Sequence, residues 1–329
     1  MTNKINLAVV GATSLKGEAF LSRLFDAEME LDEVFLLDDE SMAGEHVEFG
    51  RKDKLVNAAD GFDFTKVQHV VLIGDATLTE KIYPAIQLAG CSIIDVSGFL
   101  GQKDDVSLAT LIEDDNVPAV VAIPEATTLQ LWVVLQPLLQ ETSITSLNVT
   151  VTQCAAQGGK AALEELGQQT ARLLNFQEAQ TSFFEKQLAF NVIPQVGGLT
   201  DNGDTVNESV VRQQISRLFV LPRTEIDITM LWSPVFYGDV VTVSLQTQGS
   251  VVMEYILEQW QSNPLLNFTA AESHTPVTDA SGKSIVNLGR VRTWQTAAEN
   301  THVSFCVMAD PIQLSAAICL QVLKHQLLG

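Results

Sequence analysis

A short apolar segment, Ile5 to Val10, runs directly into Gly11-Ala12-Thr13-Ser14-Leu15-Lys16-Gly17 and then into a helical pattern from Glu18 to Phe25. This strand, glycine turn and helix constrain the chain more than any other feature, because a nearly all-apolar strand has to be covered on both faces. Similar runs follow at Val34 to Leu37, which ends at Asp38 and Asp39, and at Val70 to Ile73, Ile93 to Val96 and Ala119 to Ile123. Leu78 to Ala89 has the length and spacing of a crossover helix. The alternation predicts an α/β unit with a parallel sheet between helices.

Past Glu125 the texture changes. Thr128 to Leu139 reads as a helix, Ser146 to Gln153 alternates as a half-buried strand does, and Gly158-Gly159 opens a long helical pattern from Lys160 to Asn175. Ser209 to Phe219 reads as a helix, and Glu225 to Leu231, Val235 to Thr247 and Ile285 to Thr293 read as strands. A second, α+β unit with a mixed sheet is expected there. Asp310-Pro311 then supplies an N-cap and a first-turn proline for a helix from Ile312 to Leu327, whose broad apolar stripe needs a surface to bury it. The expected organisation is therefore residues 1–127 plus 310–329 in one domain and 128–309 in the other.

The length of 329 residues suits two domains. Lys plus Arg number 19 against 40 Asp plus Glu, a formal net charge of −21, so nucleic acid and anionic membranes are poor partners. Met1 to Lys16 has no basic and apolar leader pattern, and no run reaches the ~18 apolar residues of a membrane helix. Cys91, Cys154, Cys306 and Cys319 are widely spaced in apolar surroundings and form no Cys-x-x-Cys pair, which reads as reduced, buried thiols in a cytoplasmic protein. The five histidines show no metal-ligand spacing.

A glycine turn after a parallel strand brings backbone N–H groups to a helix N-terminus, a geometry that suits a pyrophosphate. Gly11, Thr13, Ser14, Leu15, Lys16 and Gly17 are the candidate contacts, with Asp38 about 20 residues on for a ribose hydroxyl. Two carboxylates, Asp38 and Asp39, would repel a 2′-phosphate and favour NAD over NADP. The alternative is a tight connection that holds no nucleotide.

Beyond these elements, Gly11-Ala12-Thr13…Gly17, Met42-Ala43-Gly44, Ile94-Asp95-Val96-Ser97, Gln153, Leu163-Glu164-Glu165-Leu166 and Ala189-Phe190-Asn191-Val192-Ile193-Pro194 occur in the order found in one enzyme family. The chain resembles aspartate-semialdehyde dehydrogenases over almost its whole length. It looks nearest to their usg-type paralogues, on Pro234-Val235-Phe236-Tyr237-Gly238 and on Ile123-Pro124 before a threonine-rich helix start. The resemblance implies a Rossmann-like nucleotide domain that includes Ala43 and Gly44, an α+β catalytic and dimerisation domain, a homodimer, and a C-terminal helix that rejoins the first domain. The family reduces an aspartyl phosphate through a cysteine thioester with hydride from NADPH.

Carried over by motif, the family's nucleophile falls on Ala126, its histidine base on Asp239, its substrate-binding arginine on Trp232, and two phosphate-binding cations on Leu100 and Val210. Gln153, which orients the acyl group, is kept. Alanine forms no thioester, and an ordinary aspartate, with a pKa near ~3.9 against ~6.5 for histidine, is a poor general base unless desolvated. Cys154 follows Gln153 directly, so on a strand it faces the other way and is a poor substitute nucleophile. Three readings stay open: a non-thioester relative that keeps nucleotide affinity, an oxidoreductase with a different substrate and no covalent step, and a structural partner without a ligand.

Overall fold

The computed structural model describes residues 5–109, 117–219, 225–296 and 299–328. The chain divides into two compact units, Met1–Glu125 with Ser315–Gly329, and Ala126–Leu314, each cut a few residues from the expected boundaries.

In the first unit, β1 (Asn6–Val10), β2 (Glu33–Asp38), a hairpin of β3 (His46–Phe49) and β4 (Lys52–Leu55), β5 (Asn57–Ala58), β6 (His69–Leu72), β7 (Ser92–Asp95), β8 (Ser107–Leu108) and β9 (Val120–Ala122) follow in chain order. Among the described residues seven of these form one sheet in the order β5-β2-β1-β6-β7-β9-β8, and every pairing in it is parallel. Helices α1 (Leu15–Asp26) and α2 (Ala76–Ala89) cross between strands. A core of Val10, Leu37, Val70, Leu72, Ile86 and Ile93 is closed to solvent, as the all-apolar strands require. This is the Rossmann-like arrangement expected from the sequence.

The second unit holds α3 (Ala126–Glu141), β10 (Ile144–Gln153), α4 (Gly159–Leu174), α5 (Val206–Phe219), β11 (Glu225–Trp232), β12 (Asp239–Thr247), α6 (Met253–Ser262), β13 (Leu266–Thr269), β14 (Val286–Gln295) and β15 (Thr301–Ala309). Its sheet runs β11-β10-β12-β15-β14-β13 and is mixed: β10 pairs in parallel with β11, while β10, β12, β15 and β14 pair antiparallel in turn. The last helix, α7 (Pro311–Leu328), starts where Asp310 accepts hydrogen bonds from the N–H groups of Ile312 and Gln313.

Two differences from the sequence reading have physical causes. Val235 to Tyr237 is a turn, not the start of β12: its carbonyls accept from Ala155 and Ala156 N–H at 2.8 and 3.0 Å, and Gly238 follows with φ +93°. A Cβ on Gly238 would also meet the Pro276 carbonyl at 2.5 Å. The strand β15 escaped notice because nearly all of it is buried, so it shows no alternation.

The glycines of the N-terminal turn are needed by the fold itself. A Cβ on Gly11 would lie 2.2 Å from Gly74 Cα, and one on Gly17 would lie 2.3 Å from the Gly11 carbonyl oxygen. Gly17→Ala should gain up to about 1 kcal/mol in helix propensity yet lose more by overpacking, for a net destabilisation of about 1–3 kcal/mol in urea unfolding.

Candidate functional site

The turn after β1 is held from inside the protein. Ser14 caps α1: its Oγ accepts from Gly17 N–H at 3.0 Å and donates to the Gly11 carbonyl at 2.8 Å. Its hydroxyl is thus turned onto the turn, while the N–H groups of Leu15 and Lys16 occupy the helix end, where no intrahelical acceptor exists. Asp38 is not the open carboxylate that the sequence suggests. It is 8% exposed, its Oδ2 accepts from Thr13 N–H and Oγ1 at 2.9 and 2.7 Å, and its Oδ1 accepts from Asp39 N–H. The exposed carboxylate at this strand end is Asp39, which caps the next short turn through Ser41 N–H; that bond holds its pKa below the ordinary value. Ala43 ends the same turn, exposed, and Gly44, at φ +99°, donates its N–H to the Val56 carbonyl.

In the second unit the register of β10 against β11 sets Gln153 beside Trp232, two residues 79 positions apart, at the C-terminal ends of parallel neighbours. Both line a cavity of ≈ 400 Å³, together with Gln157, Phe183, Phe184, Glu185, Ile193 and Asn207 among others. Trp232 is held edge-on to Phe183 and Phe184, with ring centroids 6.3 and 5.3 Å away. Gln153 is 5% exposed, and its Oε1 is buried with no hydrogen-bond partner among the described residues.

The family-like segments build the walls of this cavity. Glu165 on α4 accepts from the N–H groups of Ser182, Phe183 and Phe184, which fixes the aromatic pair. Burial pushes its carboxyl up, but those donors outweigh burial and hold it below the ordinary value. Gln169, one turn on, accepts from Leu188 and Ala189 N–H, and Ile193 pairs with Trp232 through two backbone bonds of 3.1 and 2.9 Å. Gly158 packs under Phe183, where an added Cβ would meet the ring at 2.6 Å.

Asp239 is fully buried, accepting from Cys154 N–H at 2.8 Å and from Gln157 Nε2 at 2.9 Å, and it lies outside the cavity lining. The expectation of an ordinary aspartate is therefore corrected: burial raises its pKa from 3.8 to about 6, against the lowering by those two bonds. Cys154 is buried as well, and burial together with the Asp239 charge pushes its thiol well above the ordinary range. Ala126, the first residue of α3, is 1% exposed and also lies outside the cavity lining; Leu100 is wholly buried. The Phe183-Phe184 pair, Gln157 and Glu185 were missed in sequence, since nothing in their spacing points to a site.

A parallel-sheet unit with a glycine turn, joined to a mixed-sheet unit with a cavity at its strand ends, defines an α/β protein of the two-part dehydrogenase type. The chain belongs to the semialdehyde dehydrogenase family: residues 6–128 match its NAD binding domain and residues 135–312 its dimerisation domain. It is 32% identical to aspartate-semialdehyde dehydrogenase 2 of Vibrio cholerae over 326 residues, covering 96% of each chain. It is 28% identical to a USG-1 protein homolog of Pseudomonas aeruginosa, covering 97% of this chain and 96% of the other. A crystal structure of aspartate semialdehyde dehydrogenase II complexed with ASA from Vibrio cholerae superposes with a TM-score of 0.91 at 30% identity, covering 99% of each chain. Among the described residues no helix is long and apolar enough to cross a membrane, and no cluster of metal-ligating side chains occurs.

The raised carboxyl of Asp239 makes stability depend on pH. A group whose pKa is higher folded than unfolded contributes fully below about pH 4 and loses that contribution as pH rises through about 6. Asp239→Asn lacks that slope and can keep both bonds if the Gln157 amide turns over. The protein's advantage over this variant should shrink by about 2–3 kcal/mol between about pH 4 and 7.5, read by urea unfolding at each pH.

Proposed function

We infer that this chain is a dehydrogenase-family protein without the family's thioester chemistry, a dimer-forming binding or regulatory subunit whose first unit keeps a dinucleotide turn. The observation that carries this reading is the set of residues at the positions matched to the family's machinery. The nucleophile position is Ala126, at the head of α3, and the thiol nearest in sequence to Gln153 is protonated by burial against Asp239. A thiolate is the attacking species in an acyl transfer of this kind, so neither position supplies one.

The base position leads to the same conclusion. Asp239 directs its oxygens at Cys154 N–H and Gln157 Nε2 and reaches the cavity lining only through Gln157, so it does not touch a bound aldehyde directly. Trp232 offers an aromatic ring where a substrate carboxylate would need a guanidinium. These positions are far apart in sequence, and each has an internal packing role.

For the first unit, the donors left at the head of α1, Leu15 and Lys16 N–H, favour retained nucleotide binding, with the exposed Asp39 carboxylate weighing toward NAD. Differential scanning fluorimetry with millimolar NAD and NADP checks this: a larger shift with NAD is expected, and no shift with either leaves a purely structural turn. For the second unit, phosphate-dependent reduction of NADP by aspartate semialdehyde should be absent. Ala126→Cys alone should not restore it, because groups of one catalytic unit act together. A large gain from that single change would contradict the reading. Size-exclusion chromatography with light scattering should show a self-dimer.

A further inference from the structure

The geometry points to the Trp232 cavity as a receptor for an organic ammonium ion, a primary amine on a short apolar frame that bears no carboxylate. This rests on the reading that the family's covalent chemistry is absent, and it concerns the same pocket.

Three rings define the apolar side. Phe183, Phe184 and Trp232 stand pairwise at 81°, 81° and 76°, with centroids 4.9 to 6.3 Å apart, so they form an aromatic corner in which Phe183, 42% exposed, is the most open ring. Aromatic faces carry negative charge density and attract cations, most strongly when the cation is desolvated. The polar side is made of the side-chain amides of Gln153, Gln157, Gln195 and Asn207 and of the Glu185 carboxylate. Gln153 Oε1 is buried without a donor, a standing cost that a turn of its amide onto a ligand N–H in the cavity would remove. Glu185 supplies a carboxylate at the rim, and no lysine, arginine or histidine lines the cavity. The net charge of −21 adds a long-range field that draws cations and repels anions.

An anion meets the opposite: no guanidinium or ammonium to pair with and a carboxylate at the entrance. The cavity volume, ≈ 400 Å³, lies near the small end of the ~300–1,000 Å³ range of ligand pockets, which limits the frame to roughly one ring or a short chain.

Isothermal titration calorimetry of the full chain with benzylamine, benzyl alcohol and benzoate tests the charge preference at constant shape, with no nucleotide or phosphate present. Benzylamine is expected to bind about tenfold tighter than either of the others. Glu185→Gln, an exposed position that leaves folding intact, should weaken benzylamine about three- to tenfold and leave benzyl alcohol unchanged. Trp232→Arg should move the preference toward benzoate. Benzoate binding as tightly as benzylamine, an unchanged benzylamine affinity in Glu185→Gln, or no benzylamine binding up to about 10 mM would each overturn the proposal. Thioester activity in the family's assay would instead overturn the functional reading and leave these affinities as they are.

Discussion

A single fully buried carboxylate ties together the half of the molecule that carries the cavity. Asp239 sits at the start of β12, held there by a left-handed glycine, and its two oxygens reach back to Cys154 N–H and Gln157 Nε2 at the end of β10. Those bonds fix where β10 stops, and with it Gln153, the short turn Ala155–Gly158 and the floor beneath Phe183. A buried anion costs stability unless it is hydrogen-bonded, and here both oxygens are. At neutral pH the group is mostly ionised, so the brace is a charged one whose pKa of about 6 is set by burial against hydrogen bonding.

This brace has consequences for its neighbours. Burial first, and the Asp239 charge after it, push the Cys154 thiol well above the ordinary range. Trp232 packs on Phe183 and Phe184, whose backbone is clamped by Glu165, and Ile193 pairs with Trp232 main chain. The family-like segments of the second unit, around Glu165 and Ile193, therefore support the cavity wall. The glycine turn follows the same logic, since Gly11 and Gly17 are dictated by close backbone approach and Ser14 by helix capping.

Much of this was legible in the residues. All-apolar runs ending at Leu37, Ile73 and Val96 announced a parallel sheet, because burial on both faces leaves a signature that needs no tertiary knowledge. Gln153 and Trp232 were each singled out by family order, but their pairing was not legible, since the register of β10 against β11 is a long-range fact. The environments of Asp38 and Asp239 were not legible. Both are carboxylates whose role depends on which backbone N–H lies opposite, and that partner lies 25 residues away for Asp38 and 85 for Asp239. The aromatic corner escaped for the same reason: Phe183 and Phe184 lie in an irregular segment where periodicity says nothing about direction.

The central claim is that no reactive thiolate exists in the folded chain. Cys91, Cys154, Cys306 and Cys319 are all buried, and burial pushes Cys91, Cys154 and Cys319 above the ordinary thiol range. Titration of the native protein with a chromogenic disulfide near neutral pH measures this directly. The account predicts no fast-reacting thiol until denaturant is added, when four should appear. One thiol reacting in the native state as fast as free glutathione would contradict it.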